Sequence, residues 1–414
     1  MPAPTGQDAE PPADAVWARK AALAIWTRSA SRDFAGYDPY DALNGRLVPR
    51  VVARSPLGRR ILTQAVKRCP VPLQPLLGVK RATDAYTLGH ALLTCARLSD
   101  HDQVANACAG LVSRLESMAV ADGESRAWGY HFPVHTRFFS YVPPTPNLIV
   151  TTFVAKGMAA VTKAGMVDCT PEVQGAATFI LEHLPRVTDH TGQCIGYLPG
   201  EDAVVHNANM LAAMVLCEAA ETVSDTHSGP NPEYWLEQAL LCARFTAARQ
   251  AADGSWPYSE EPYGRWVDGF HTGFVLEGLA AVARATGDAA LRESLVRGLR
   301  YYVAQLFGPD GQPKYYPDRP YPYDALSAAQ GVETLHVALR GLPDATAFDA
   351  DLVQAVPGQL QWIRDNLLRS AGRVTYQVHR LWKDRREFPR WAGSPLMSAL
   401  AGVSAEGGTE GGAK

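Results

Sequence analysis

The sequence predicts an all-α protein, an (α/α)6 toroid in which six helical hairpins close into a double ring. The first observation behind this prediction is a glycine turn that recurs every 57 to 69 residues. It falls at Gly123, Gly192, Gly254, Gly311 and Gly372. The second observation is that the intervals alternate between helical patterns that are apolar on every side and patterns with a charged face. This alternation is typical of an inner and an outer ring of helices.

The apolar patterns predict the inner helices, because a helix without a charged face has to be buried all round. They cover residues 84–97, 207–222 and 272–285. The patterns with a charged face predict outer helices at 14–30, 172–185, 232–248 and 289–306. Thr170, Pro171 and Glu172 support one of these starts, since they supply an N-cap, a proline at the first helical position and an early acid.

The connections between helices differ in length. Short connectors such as 285–288 lead from inner to outer helices, whereas the loops from outer to inner helices run to about 20–30 residues. These long loops share one rim of the ring, where we expect the functional site. We expect residues 14–403 to form a single domain, with disordered tails at 1–13 and 404–414 that are poor in bulky apolar side chains.

Composition and charge exclude several classes of protein. With 39 basic and 42 acidic residues the formal net charge is −3, which favours neither nucleic acid nor anionic lipid as a partner. No stretch reaches the roughly 20 apolar residues of a membrane span, and the first residues do not resemble a signal peptide. The seven cysteines form no CxxC pair, so we expect a reduced, cytoplasmic protein. The oligomeric state stays open.

Aromatic, acidic, amide and histidine side chains recur in the loops of the predicted rim. We predict catalytic roles for Tyr37, Asp38, His206, Asp268, His271 and Tyr316. The predicted substrate-binding residues are Tyr40, Asp41, Asn44, His131, Arg137, Asn207, Trp256, Tyr258, Arg265, Asp318, Tyr323, Asp324, Tyr376 and Trp391. His271 stands out, because Asp268 lies one helical turn earlier and could orient its ring. Structural roles stay open for the others: a loop aromatic often covers its hairpin, and His206 at a helix start is equally compatible with a cap or a core group.

The side-chain types also indicate the kind of ligand. Aromatic faces stack on the C–H faces of sugars, while amides and carboxylates bind sugar hydroxyls. A polyphosphate substrate would need a cluster of Lys and Arg, and the predicted site residues include none. We therefore expect a small-molecule or oligosaccharide substrate and no cofactor.

Two segments resemble families of α/α toroids. The segment 250–256, QAADGSW, resembles the Q-and-W motif of squalene cyclases, and the segment 268–279 resembles the zinc-histidine helix of protein prenyltransferase β subunits. These resemblances imply the toroid fold. The sequence has no D-x-D-D motif to protonate an alkene and no D-x-C triplet to complete a zinc site, so we predict no bound metal.

A wider similarity is to bacterial polysaccharide-biosynthesis proteins of the VpsJ-like type, which implies a role in making polysaccharide. It is carried by the segments 36–44, 73–80, 206–209 and 321–325. In addition, the segments 37–41 and 264–272 are similar to stretches in the α/α domain of glucuronyl C5-epimerases. That similarity implies acid/base chemistry on a uronosyl residue.

We therefore expect a carbohydrate-active enzyme of polysaccharide or glycoconjugate synthesis that works by acid/base chemistry without metal. Epimerisation or elimination at C5 of a uronosyl residue needs a base on one face of the sugar and an acid on the other, which His and Tyr side chains can supply. Arg265 or Arg319 would neutralise the substrate carboxylate and the charge that develops on it.

Three alternatives remain. A glycoside hydrolase would use Asp38 or Asp41 with Asp268 or Asp324, and requires two carboxyl groups about 5–10 Å apart across the cavity. An isoprenoid-binding, cyclase-like or prenyltransferase-like toroid would have a deep and largely apolar pocket. A non-catalytic glycan-binding scaffold would have a shallow, open rim.

Overall fold

The computed structural model describes residues 13–136, 138–222, 232–340 and 350–405. Within these ranges it contains fifteen α-helices, numbered in chain order. They are α1 Ala13–Ala30, α2 Arg50–Arg54, α3 Pro56–Arg68, α4 Ala85–Arg97, α5 Asp102–Ala105, α6 Cys108–Met118, α7 Leu148–Lys163, α8 Thr170–His183, α9 His206–Thr222, α10 Pro232–Ala247, α11 Gly269–Thr286, α12 Ala289–Leu306, α13 Ala325–Arg340, α14 Ala350–Asn366 and α15 Ser394–Ser404.

Six of these helices form a closed inner ring. In order they are α4, α7, α9, α11, α13 and α15; each contacts the next, and α15 returns to contact α4. The outer ring consists of α1, α6, α8, α10, α12 and α14, each packed against the inner helices next to it. The predicted (α/α)6 toroid is confirmed, and the predicted helices at 14–30, 207–222, 232–248 and 289–306 match the observed ones to within a residue.

Strands are short and lie in the loops or at their ends. They are β1 Val120–Asp122, β2 Ser125–Ala127, β3 Val134–His135, β4 Ser140–Tyr141, β5 Arg186–Asp189, β6 Gly192–Ile195, β7 Tyr323–Asp324, β8 Leu368–Arg369, β9 Arg373–Val374, β10 Gln377–Val378 and β11 Lys383–Asp384. All pairings are antiparallel: β1–β2, β3–β4, β5–β6, β8–β9 and the three-stranded order β11–β10–β7.

The recurring glycine turns lie in the outer-to-inner loops, as predicted. All five glycines have a positive φ, between 56° and 150°, which disfavours residues with a Cβ atom. Because one such turn follows each of the outer helices from α6 to α14, the long loops all return to the same rim. That rim contains the N-terminal ends of the inner helices.

The inner ring is closely packed where glycines face each other. A Cβ atom at Gly89 in α4 would lie 2.4 Å from the carbonyl oxygen of Phe153 in α7, and one at Gly157 would lie 2.4 Å from the carbonyl oxygen of Gly89. These distances are far below van der Waals contact, so the two backbones approach closely only because both positions lack side chains.

A buried charge network crosses the ring below the rim. The Nζ atom of Lys156 lies 3.0 Å from carboxylate oxygens of both Glu277 and Glu333, and Arg97 forms two bonds of 2.7 Å with Glu333. These residues belong to α7, α11, α13 and α4, and α7 lies opposite α13 in the ring. The network therefore fills the axis of the toroid and connects four inner helices.

Other expectations have mixed outcomes. Helices α2 and α3, within the long first loop, were not predicted. The tails expected to be disordered fall almost wholly outside the described residues, although Ala13 begins α1 and Ser404 ends α15. No helix in the described part of the chain has the length and apolar character needed to cross a membrane.

Candidate active site

A cavity of about 280 Å³ opens at the rim, over the first turns of the inner helices. Thirteen of its twenty lining residues are Phe, Tyr or Trp, so aromatic faces form most of its surface. The polar groups in the wall are therefore few. They are the phenol hydroxyls and the side chains of Thr136, Asn207, His271 and Arg390.

The first polar feature is a histidine–aspartate pair at the start of α11. Asp268 caps this helix: its Oδ1 accepts the backbone N–H of His271 at 3.0 Å, and its Oδ2 lies 2.6 Å from Nδ1 of the same histidine. The indole N–H of Trp266 donates to Oδ2 at 2.9 Å. Because the carboxylate binds the Nδ1 proton, Nε2 is the nitrogen left to accept a proton from a ligand in the cavity.

Aromatic rings hold this histidine in place. The ring of His271 lies 4.5 Å from that of Tyr258 and 3.9 Å from that of Phe270, and Tyr258 stacks on Trp266 at 4.8 Å. The imidazole is about a fifth exposed, whereas the Asp268 carboxylate behind it is buried. The pair thus has the geometry of an oriented acid/base group.

The second polar feature is a buried arginine that the sequence analysis missed. Arg390 lies in a single π-helical turn, Pro389–Gly393, that precedes α15. Its Nε and Nη2 lie 2.5 and 2.9 Å from the two carboxylate oxygens of Asp38. The guanidinium also lies 4.9 Å from the ring centre of Tyr130. Burial alone would lower the pKa of Arg390, but the Asp38 carboxylate outweighs it and raises the pKa.

This arrangement changes two expectations. Asp38 is buried and bound to Arg390, so it positions a cavity residue and does not line the cavity itself. Arg265, expected to neutralise a substrate carboxylate, is exposed and outside the cavity wall. Arg319, the other candidate, is also exposed and lies 3.8 Å from Asp318. Arg390 is the cation that the cavity contains; its position next to Trp391, just before the last inner helix, was the available signal.

Carboxylates recur at the starts of the inner helices and orient the cavity wall. Asp324 accepts the backbone N–H of Leu326 at 2.9 Å at the start of α13, and the indole N–H of Trp391 lies 3.1–3.2 Å from its oxygens. Asp84 accepts the backbone N–H of Tyr86 at the start of α4, and its other oxygen binds Nδ1 of His131 at 2.9 Å. Burial opposes the charge on His131, but Asp84 raises its pKa. Asp324 and His131 therefore lie behind the wall.

Five of the residues predicted from the sequence line the cavity: Tyr40, Asn207, Tyr258, His271 and Trp391. The others were expected around the same cavity and lie elsewhere among the described residues. Arg137 falls outside the described residues.

His206 and Trp256 have structural contacts. The fully buried His206 places Nε2 2.8 Å from a Glu260 oxygen, away from the cavity wall, which agrees with the alternative of a core group. Trp256 donates its indole N–H to the carbonyl of Thr246 at 2.9 Å and is 2% exposed. Its ring packs beside Gly298, so it joins the outer helices α10 and α12.

The first loop also departs from the expectation. Tyr37 lies in a different pocket, beneath Arg81. Asp41 is buried and accepts the backbone N–H of Asp38 at 2.8 Å, and burial next to that second carboxylate raises its pKa to about 7. Asn44 is exposed and donates to the carbonyl of His131.

The last loops supply few cavity residues. Tyr316 and Tyr376 lie in a neighbouring pocket beyond Trp391. Tyr323 packs against Trp362 and faces another surface. The wall residues that the prediction did not include are mainly aromatic: Tyr86, Tyr130, Phe132, Phe138, Phe139, Tyr197, Trp266, Phe270, Phe274 and Tyr315.

No group of three or more His, Cys, Asp or Glu side chains suited to a metal ion occurs in the described ranges. The expectations of no metal and no cofactor stay predictions.

Neither a family model nor a curated protein sequence matches the chain. Solved structures do match. Cellobiose 2-epimerase from Bacillus thermoamylovorans aligns with a TM-score of 0.60 at 8% identity, over 78% of this chain and 88% of its own. A D-mannose isomerase aligns with a TM-score of 0.57 at 11% identity, over 78% of this chain and 86% of its own. A GH76 α-mannanase from Bacteroides thetaiotaomicron aligns with a TM-score of 0.55 at 12% identity, over 78% of this chain and 84% of its own. At these identities the likeness establishes the shared α/α-toroid fold.

Proposed function

We propose that this protein is a carbohydrate-active enzyme that moves a proton at a sugar carbon, with His271 as the acid/base group. The observation that carries this proposal is the oriented His271–Asp268 pair in the wall of an aromatic cavity. Stacking on aromatic faces suits a sugar ring. A volume of about 280 Å³ is near the lower end of the range for small-molecule sites. The matching solved structures include enzymes named for sugar epimerisation and isomerisation, which supports the class of substrate.

The reaction we favour is epimerisation or elimination at C5 of a uronosyl residue. Nε2 of His271 takes the C5 proton, and the electron pair left on C5 delocalises into the adjacent carboxylate. Arg390 lies in the cavity wall to bind that carboxylate and stabilise the added charge. Epimerisation returns a proton to the opposite face. Elimination breaks the C4–O bond and forms a C4–C5 double bond, and the leaving oxygen takes the bonding electrons and a proton.

Phenols are the natural proton donors for the opposite face. Burial raises the pKa values of Tyr130, Tyr197, Tyr258 and Tyr315, all of which line the cavity. A phenol with a raised pKa stays protonated at neutral pH, so it holds the proton that the opposite face needs and has no free oxyanion to act as a base. This division leaves His271 as the base and a tyrosine as the acid.

Hydrolysis by two carboxylates is less compatible with this geometry. No Asp or Glu is among the described residues that line the cavity. The candidates Asp38, Asp268 and Asp324 are buried behind the wall and bound to its side chains. A pair of carboxyl groups facing each other across the substrate is required for that reaction.

An isoprenoid ligand is the second candidate, because thirteen aromatic residues line the cavity and aromatic faces stabilise carbocations. It predicts binding of a prenyl diphosphate in preference to an acidic sugar. The two candidates are therefore separated by one competition measurement with farnesyl diphosphate and galacturonate.

The direct test is proton exchange. The protein is incubated with uronic-acid polymers in deuterated water, and deuterium at C5 and unsaturated products are measured by NMR and absorbance. We expect exchange in the wild type and a loss of about 10²–10⁴-fold in His271→Ala, equivalent to roughly 3–5 kcal/mol. His190→Ala, in the exposed turn between β5 and β6, is the matched control and should keep full activity. Full exchange in a folded His271→Ala variant would remove the proposed base.

A further inference from the structure

A large pocket beside the cavity has an excess of positive charge. This basic pocket has a volume of about 550 Å³ and lies between the end of α1 and the loop after β11. Its cationic lining residues are Arg28, Arg32, Arg81, Lys383, Arg385 and Arg386. A concentration of cations on one surface is unexpected for a chain with a net charge of −3.

Two carboxylates lie among these cations and do not balance them. Asp384 is paired with Arg386 at 2.6 Å. Glu387 alone is contacted by four arginines: Arg28 at 2.7 Å, Arg32 at 2.9 Å, Arg369 at 3.7 Å and Arg373 at 3.8 Å. Burial lowers the pKa of Arg369 and neighbouring arginines lower it further, despite the attraction of Glu387. The field in this region is therefore positive and favours an anionic ligand.

A second pocket lies between the cavity and the basic pocket and adjoins both. This second pocket, of about 380 Å³, shares Tyr315 and Trp391 with the cavity, and Trp382 and Arg386 with the basic pocket. Lys67 lies in its wall, 4.5 Å from the ring centre of Tyr40. Cations thus occur in all three compartments.

An exposed aromatic residue marks the junction. Trp382 is 42% exposed and stacks on His379 with ring centres 4.0 Å apart and planes 6° from parallel. A large exposed ring held flat by a partner offers an open face at the point where the two outer pockets meet. Such a face suits the C–H face of a sugar.

We propose that the cavity, the second pocket and the basic pocket form one groove that binds an extended chain of uronic acid residues. Arg390, Lys67 and the exposed Arg81 and Arg385 of the basic pocket would face carboxylates at successive positions along the chain, with Trp382 stacking on a sugar between them. Cations distributed over three adjoining pockets match charges repeated along a polymer better than a single phosphate group. The inference rests on the proposed function and extends it from one sugar residue to a polyanionic chain.

The test measures binding and does not need turnover. Calorimetric titration with galacturonic acid, its hexamer and neutral cellohexaose compares the wild type with Arg81→Gln/Arg385→Gln. Both substituted arginines are exposed and neither side chain donates a hydrogen bond to a described residue, so the fold should persist. We expect the wild type to bind the hexamer at least tenfold more tightly than the monomer or cellohexaose, and the variant to lose most of that gain.

The control and a second variant sharpen the result. Arg284→Gln/Arg292→Gln removes the same charge at the opposite end of the ring, where α11 ends and α12 begins, and should leave hexamer binding unchanged. Trp382→Ala should weaken the hexamer severalfold and the monomer little. Equal affinities for hexamer and monomer, no hexamer binding, or an equal loss in the control would each overturn the groove. The groove would also be overturned if guanosine diphosphate bound more tightly than the hexamer and its affinity fell in Arg81→Gln/Arg385→Gln. Hexamer binding without C5 exchange would instead retain the groove and reject the proposed reaction.

Discussion

Asp268 shows how one carboxylate can bind both the start of a helix and a histidine of the cavity wall. It accepts the backbone N–H of His271 in the first turn of α11, binds Nδ1 of the same residue and accepts the indole N–H of Trp266. An N-cap of this kind stabilises a helix by about 1 kcal/mol. Because the same oxygen that binds Trp266 also binds the imidazole, the position of the His271 ring is coupled to the aromatic wall.

The first prediction separates these roles. Asp268→Asn keeps an acceptor for the cap, so stability should fall by less than about 1 kcal/mol. The neutral amide cannot stabilise the imidazolium, and turnover should fall by about 10²–10⁴-fold. Thermal unfolding and C5 exchange measure the two effects. Unchanged turnover in a stable variant would make Asp268 a cap alone.

The second prediction concerns Asp41. Burial, together with the nearby Asp38 carboxylate, raises its pKa from 3.8 to about 7. The folded protein therefore binds this proton more tightly than the unfolded chain does. Its contribution to stability is fully present below pH 4 and is lost as the pH rises through 7.

Asp41→Asn mimics the protonated side chain and should remove this dependence. Relative to the wild type, the variant should gain up to about 1.4 kcal/mol for each pH unit between pH 4 and 7, and no more above that range. Urea unfolding at pH 5, 6, 7 and 8 measures the difference. The exposed Asp318→Asn is the control. Parallel stability curves for Asp41→Asn and wild type would contradict the prediction.

At the level of elements, the contact between α4 and α7 depends on absent side chains. Gly89 and Gly157 each approach the opposite helix so closely that a Cβ atom would lie 2.4 Å from a backbone oxygen. Backbone atoms cannot move aside as a flexible side chain can. The spacing of two inner helices that carry cavity residues is therefore set by these glycines.

The third prediction compares two glycines. Gly157→Ala should destabilise the protein by about 1–3 kcal/mol, because the added methyl group forces the helices apart. Gly110 in α6 is exposed, and a Cβ atom added there would have no other atom within 4 Å, so Gly110→Ala should stabilise by about 0.5–1 kcal/mol through its better helix propensity. Denaturant unfolding of both variants is the measurement. Changes of the same sign would mean that propensity, and not the helix contact, controls both sites.

At the level of the whole molecule, the ring has a polar axis below an aromatic cavity. Lys156 contacts Glu333 on the opposite side of the ring and Glu277 in α11, and Arg97 completes the network. Two cations and two carboxylates balance each other. These four side chains meet only when the inner helices form a closed ring, so the network depends on the ring being closed.

The fourth prediction is that Glu333→Gln destabilises the protein by about 3–5 kcal/mol, since it leaves buried cations without a balancing charge. The control is Asp100→Asn, which removes an exposed ion pair with Arg19 and should cost no more than about 1 kcal/mol. The free energies of unfolding of the two variants are compared from the midpoint and the slope of their denaturant transitions. Equal small losses would show that the axial network is dispensable.

The amino-acid sequence by itself determined the parts of this protein that depend on local spacing. Apolar and charged faces repeat with the helical period, glycine turns recur once per hairpin, and Asp268 precedes His271 by a single turn, so the toroid and the contact between these two residues could be predicted. Tertiary structure decided which side chains share a compartment. Asp38 and Arg390 are 352 residues apart, and the arginines of the basic pocket come from distant segments of the chain. Their contacts exist only because the ring brings its first and last hairpins together, which no local pattern encodes.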